Sequence, residues 1–115
     1  MALPWIDLAS DQQLDDVIAS SQLKPILIFK HSTRCSISSV ALDRLNRSTV
    51  NTNIDYYLLD LIAYRQLSNT IAEKFKVYHE SPQVLLISKG ECVYDESHMS
   101  IRMQDIDDEV AQLFA

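Results

Sequence analysis

Apolar residues fall at helical spacing after Ser10: Leu14, Val17 and Ile18 share one face, and Ser10 followed by Gln13 has the form of a capping box. A first helix is therefore predicted, ending near Ser21. PILIFK (Pro25–Lys30) is a short apolar run rich in strand formers, the mark of a strand covered on both faces. Ile37, Val40, Ala41 and Leu45 return to helical spacing and predict a second helix from about Ser36 to Arg47. IDYYLLDLI (Ile54–Ile62) reads as a second strand, and the segment RQLSNTIAEKF places Leu67, Ile71, Ala72 and Phe75 on one helical stripe. SPQVLLISKGECVYDES then supplies two runs of strand formers joined at Lys89-Gly90, a hairpin signal. Met103, Ile106, Val110 and Leu113 mark a last helix.

The predicted order is α-β-α-β-α-β-β-α. Two βα units require parallel strands with right-handed crossovers, and the hairpin adds two antiparallel strands. The fold class expected is α/β, thioredoxin-like: a mixed four-stranded sheet with helices on both faces and an extra N-terminal helix. Other α/β sandwiches share this element order, so the order alone leaves them open.

Composition narrows the setting. The 115 residues are 47% apolar, enough for one core, and with three prolines and one glycine there is no flexible linker or repeat, so residues 1–115 are expected to form a single domain. No stretch approaches the ~20 apolar residues needed to span a bilayer. The start, MALPWIDLAS, carries Asp7 and no basic residue ahead of its apolar positions, unlike a signal peptide. Two distant cysteines, Cys35 and Cys92, are too few for a disulfide scaffold, so a cytoplasmic, reducing location is expected. A net charge of −6 argues against nucleic acid as a partner. Asp105, Asp107, Asp108 and Glu109 read as a solvated helix face.

Candidate chemistry centres on HSTRCSIS (His31–Ser38). In the predicted arrangement Cys35 falls where the first apolar strand ends and the next helix begins, a place whose unpaired N–H groups and helix dipole favour an anion. The thiolate is the form that attacks disulfides, and Arg34 and a protonated His31 would favour it further. Ser38 stands where dithiol enzymes carry a second cysteine, giving the monothiol pattern C-x-x-S. From the octet alone, Cys35 is equally well a small buried hydrophobe. Ser81-Pro82 stands just before QVLLI, and strand polarity brings it to the edge where the first strand ends; a strand start explains this proline too.

KHSTRCSIS, LSNTIAEKF, HESPQVLLI and ESHMSI, in this order and spacing, closely resemble the monothiol bacilliredoxin family of the bacillithiol redox system, over about Ile26 to Ile101. The resemblance implies removal of bacillithiol from mixed disulfides on client proteins, with Cys35 as nucleophile, bacillithiol as co-substrate, and no tightly bound cofactor or metal. It also implies a cis bond at Ser81–Pro82, with Ser81 offering backbone groups to an extended substrate. The family motif usually has proline after the cysteine; Ser36 here restores an N–H and adds a hydroxyl able to bond to the thiolate. Ser97, His98 and Ser100, expected at the start of the last helix near Cys35, would meet the carboxylates of a small acidic thiol. The plainer alternative makes Ser100 a helix cap and His98 a surface residue. His79 reads as a loop residue, and Trp5, Tyr56, Tyr57 and Tyr94 as packing residues.

Other functions stay open: a glutaredoxin-like reductase using another small thiol, an iron–sulfur carrier ligating a cluster through Cys35 across a dimer, or a non-catalytic binding module. Cys92 is not expected to pair with Cys35, because the hairpin carries it to the opposite end of the sheet, roughly 20 Å away at ~3.3 Å per strand residue.

Overall fold

A computed structural model of the chain describes residues 3–115. Five strands, β1 (Ile6–Asp7), β2 (Ile26–His31), β3 (Asp55–Asp60), β4 (Gln83–Ser88) and β5 (Glu91–Ser97), alternate with four helices, α1 (Asp11–Ser20), α2 (Ser36–Asn46), α3 (Arg65–Phe75) and α4 (Met103–Leu113). The strands form one sheet in the order β1-β3-β2-β4-β5. β1, β3 and β2 run parallel, and β4 and β5 are antiparallel to their neighbours.

The sheet has five strands rather than the four expected. Ile6 and Asp7 pair with Tyr57 and Leu58 of β3, and Leu8 N–H donates to the Leu58 carbonyl at 2.9 Å. Both β1 residues are exposed, so the strand leaves no trace in the hydrophobic pattern. Its flanks are what anchor it. Leu3 and Leu8 are buried, and Asn46 Oδ1 accepts from Leu3 N–H at 3.2 Å and from the Trp5 indole at 2.7 Å. Trp5 packs edge-on against Phe29 and Tyr56.

Alternation along β2 and β4 divides the core in two. Leu27, Phe29, Val84 and Leu86 join Ala41 and Leu45 of α2 and Ile106 and Val110 of α4 on one face. Ile26, Ile28, Leu85 and Ile87 join Leu14 and Val17 of α1 and Leu67 and Ile71 of α3 on the other. Ile26–Phe29 of β2 and Val84–Ile87 of β4 are therefore continuous apolar runs, as a sheet covered on both faces requires.

Local signals hold where they were strongest. Ser10 caps α1, its hydroxyl accepting from Gln13 N–H at 3.1 Å, while Gln13 Oε1 accepts from Ala9 N–H at 2.8 Å, one residue earlier than a standard capping box. Lys89 and Gly90 both have positive φ (52° and 78°), the signature of a two-residue hairpin turn, and Lys89 N–H bonds back to the Ser21 carbonyl at 2.9 Å. The last helix begins later than expected. His98–Ser100 form a single 3-10 turn, buried extended Ile101 breaks the helical path, and α4 starts at Met103 with Arg102 as its cap residue.

Candidate active site

β2 ends at His31, whose carbonyl accepts from Leu61 N–H at 3.0 Å. The chain then turns tightly, Cys35 N–H donating to the Ser32 carbonyl at 3.2 Å, and enters α2. Cys35 is the N-cap of that helix: its backbone is extended (φ −111°, ψ 119°), and its carbonyl accepts the helix-opening bond from Ser39 N–H at 3.1 Å. The side chain makes no capping hydrogen bond, and the residue is half-buried with a free thiol. This is the position at which an anion meets the unpaired N–H groups of a first helical turn.

The neighbours divide into two groups. Arg34 and Ser36 are exposed on either side of Cys35. Ser38 is fully buried; its hydroxyl accepts from Ser32 N–H at 3.0 Å and lies 2.7 Å from His31 Nδ1. The hydroxyl keeps a proton and a second lone pair, either of which can serve the contact with Nδ1, according to the His31 tautomer. Burial lowers the His31 pKa, with nearby Asp60 acting in the opposite sense, so His31 is uncharged at neutral pH. His31, which would favour the thiolate only when protonated, is thus bonded to Ser38, and the pair braces the turn that presents Cys35.

Lys30 pairs with Gln83 at the end of the β2–β4 ladder, which brings Pro82 to the edge where His31 leaves the sheet. The Ser81–Pro82 bond is cis, Pro82 is buried, and the buried Ser81 hydroxyl has no partner among the described residues. His98 lies beside it: its N–H donates to the Pro82 carbonyl at 2.9 Å, and Nε2 lies 3.2 Å from Glu80. Ser97 closes β5 opposite Gln83, with its N–H on Glu96 Oε1 at 3.0 Å. Ser97 and His98 therefore do reach this edge, but on an isolated turn rather than at a helix start, because α4 begins beyond Ile101. Ser100 accordingly caps nothing. Arg44 of α2 donates to the Met99 carbonyl at 3.2 Å and ties this turn to the helix that Cys35 opens.

One cluster has no counterpart in the sequence reading. Lys30 is fully buried, with Nζ donating to the Ser68 carbonyl at 3.1 Å and lying 3.3 Å from His79 Nδ1. Ser68 Oγ is 3.2 Å from the same nitrogen. Burial lowers the Lys30 pKa to about 8. Burial, Lys30 and Arg65 lower that of His79, against Glu80, so His79 is neutral at pH 7 and accepts at Nδ1. His79, read as a loop residue, is the partner that holds this lysine. A lysine ending an apolar run was the one available signal.

Cys92 faces the α1–α3 layer, away from α2, and lies across from Ile87 near the far end of β4. Burial pushes its thiol up to about 11. Tyr56 is buried and accepts from Asn51 N–H at 2.9 Å, while Tyr57 and Tyr94 are half-buried packing residues. No helix among the described residues is long and apolar enough to cross a membrane.

The architecture is that of thioredoxins. Thioredoxin NaTrxh from Nicotiana alata superposes with a TM-score of 0.74 at 18% identity, covering 97% of this chain and 94% of that one. Thioredoxin f from spinach chloroplast gives 0.72 at 10% identity, covering 96% and 94%. These two share the fold alone. A protein described as a candidate oxidoreductase with a thioredoxin fold is 34% identical, with a TM-score of 0.80 over 91% of this chain and 92% of that one. Fold and site together define a thioredoxin-fold thiol oxidoreductase. The model of the monothiol bacilliredoxin BrxC family matches residues 6–106, and the chain belongs to that family.

Proposed function

We propose that this protein removes bacillithiol from mixed disulfides on client proteins, with Cys35 as its single nucleophile. The observation that carries the reading is the placement of a free cysteine as the N-cap of α2, with no side-chain bond of its own, in a chain of the monothiol bacilliredoxin family. The Cys35 thiolate attacks the bacillithiol sulfur of the mixed disulfide, and the client cysteine leaves as thiolate and takes up a proton. A second bacillithiol, as thiolate, attacks the bacillithiol sulfur now on Cys35; the two bacillithiols leave joined as a disulfide and Cys35 returns as thiolate.

Ser38 cannot resolve the adduct, and Cys92 is on the other face of the sheet, which suits a cycle closed by an external thiol. Arg34 and Ser36 flank Cys35 in the chain and would favour its thiolate. Ser81 and Pro82 would receive the client backbone, with Ser97 and His98 beside the small thiol. The expected setting is a reducing cytoplasm, with bacillithiol as co-substrate and no bound cofactor.

The test is release of bacillithiol from a modified client protein, followed by mass spectrometry. Cys35→Ser should abolish release and Cys92→Ser should retain most of it. Release at a normal rate by Cys35→Ser would overturn the proposal.

A further inference from the structure

On the β3 side of the Cys35 turn lies a cleft of about 340 Å³, within the size range of small-ligand and side-chain sites. Thr33, two residues before Cys35, forms one lip, and Leu58 and Tyr64 supply apolar wall. Asp7 and Asp60 also line it. The register explains the convergence. Asp7 pairs with Leu58 and His31 pairs with Asp60, so all four side chains emerge on the same face of the sheet at neighbouring positions.

Asp7 and Asp60 give the cleft a negative lining, beside a neutral His31. Asp60 Oδ1 accepts from the N–H groups of Ile62 at 3.0 Å and Ala63 at 3.3 Å, which fixes the carboxylate in the cleft lining. Neither Asp7 nor Asp60 takes part in an ion pair among the described residues. An apolar wall for an alkyl stem, ending in two carboxylates, is the complement of a lysine or arginine side chain.

We propose that this cleft seats a basic side chain of the client polypeptide, close in sequence to the modified cysteine. The inference rests on the reading of Cys35 as the reacting thiol. Of the two halves of a mixed disulfide, an acidic small thiol is repelled by Asp7 and Asp60, whereas a polypeptide can present a cation there. The cleft therefore orients the disulfide, holding the client on the β3 side and leaving the small thiol toward Ser81 and His98.

The experiment uses bacillithiolated peptides of one length in which lysine is walked through the positions flanking the cysteine, with all-alanine and glutamate versions. The best lysine peptide should exceed the alanine peptide in kcat/KM by about 3- to 5-fold at low salt, the glutamate peptide should fall below it, and 0.5 M salt should compress the series. Asp7→Asn with Asp60→Asn should bring the lysine-to-alanine ratio close to one. A ratio that survives this double change, or that is one in the native protein, overturns the proposal. A second measurement is independent of turnover: a lysine peptide with serine in place of the modified cysteine should shift the amide resonances of Asp7 and of Asp60–Tyr64. No such shifts would overturn the proposal even if all peptides are processed. Shifts without turnover would instead uphold the cleft and remove the role given to Cys35.

Discussion

Lys30→Met keeps the length of a buried stem and deletes its ammonium, which makes the energetic weight of that charge measurable. Burial holds Lys30 at a pKa of about 8 against 10.5 in the unfolded chain. Below pH 8 both states carry the proton, and the folded state bears the whole cost of burying it. Between about pH 8 and 10.5 the folded chain releases the proton first, so the unfolded chain binds more protons and stability rises with pH. At about 1.4 kcal/mol per pKa unit, the gap between 10.5 and about 8 amounts to about 3 kcal/mol. At pH 7 methionine relieves that cost and gives up the hydrogen bond to His79, about 1 kcal/mol; the Ser68 carbonyl sits within α3 and keeps its helical partner. The variant should thus be more stable than the parent by roughly 2 kcal/mol at neutral pH. Urea unfolding of both proteins from pH 6 to 11 provides the assay. Tyrosines and Cys92 titrate in both and cancel in the difference, which should move in favour of the parent by about 3 kcal/mol between pH 7 and 11. Parallel stability curves would refute the reasoning.

Cys92, with its thiol pushed up to about 11, should be alkylated by iodoacetamide at pH 8 on the order of 100-fold more slowly than a free cysteine, measured in a Cys35→Ser background; a rate near the free value would contradict its burial. Asn46→Ala removes the acceptor for both Leu3 N–H and the Trp5 indole and should cost about 1–2 kcal/mol in urea unfolding, with a red shift of Trp5 fluorescence; unchanged emission would mean that Asn46 does not anchor the N-terminal segment.

What the sequence made legible follows from the range of the forces involved. The helices, the hairpin and the two central strands rest on periodicity and turn chemistry within a few residues, and those elements stand close to where the pattern puts them. Ile6–Asp7 escaped because its pairing is carried by backbone groups and its side chains face solvent. Ser97–Ser100 fall outside α4 because Ile101, buried and extended, separates their turn from the helix that Met103 opens. At the candidate site, the positions of Cys35 and Pro82 follow from strand polarity. The inward turn of Ser38 does not, since its partners Ser32 and His31 lie across a tight turn whose shape no spacing encodes. Lys30 was the furthest out of reach. Its burial depends on Ser68 and His79, 38 and 49 residues away, and a lysine ending an apolar run ordinarily stands at the surface.

Consider, finally, the outer flank formed by β5. Glu91, Val93 and Asp95 point to solvent, and the register with β4 shifts between Leu86 and Ile87, where Val93 stands as the extra residue of a bulge. A bulge increases local twist, and neighbouring carboxylates repel a second strand bearing the same charges. The opposite flank, β1, offers only two residues for pairing. Neither rim of the sheet is thus a flat, neutral template on which another copy could extend it. That defence matters for a chain whose two central strands, Ile26–Phe29 and Val84–Ile87, are runs of uninterrupted apolar residues with strong strand preference. Once the chain is folded, those runs are walled in by rims that discourage growth, and the hazard of β-aggregation is confined to the time before β5 and β1 have docked.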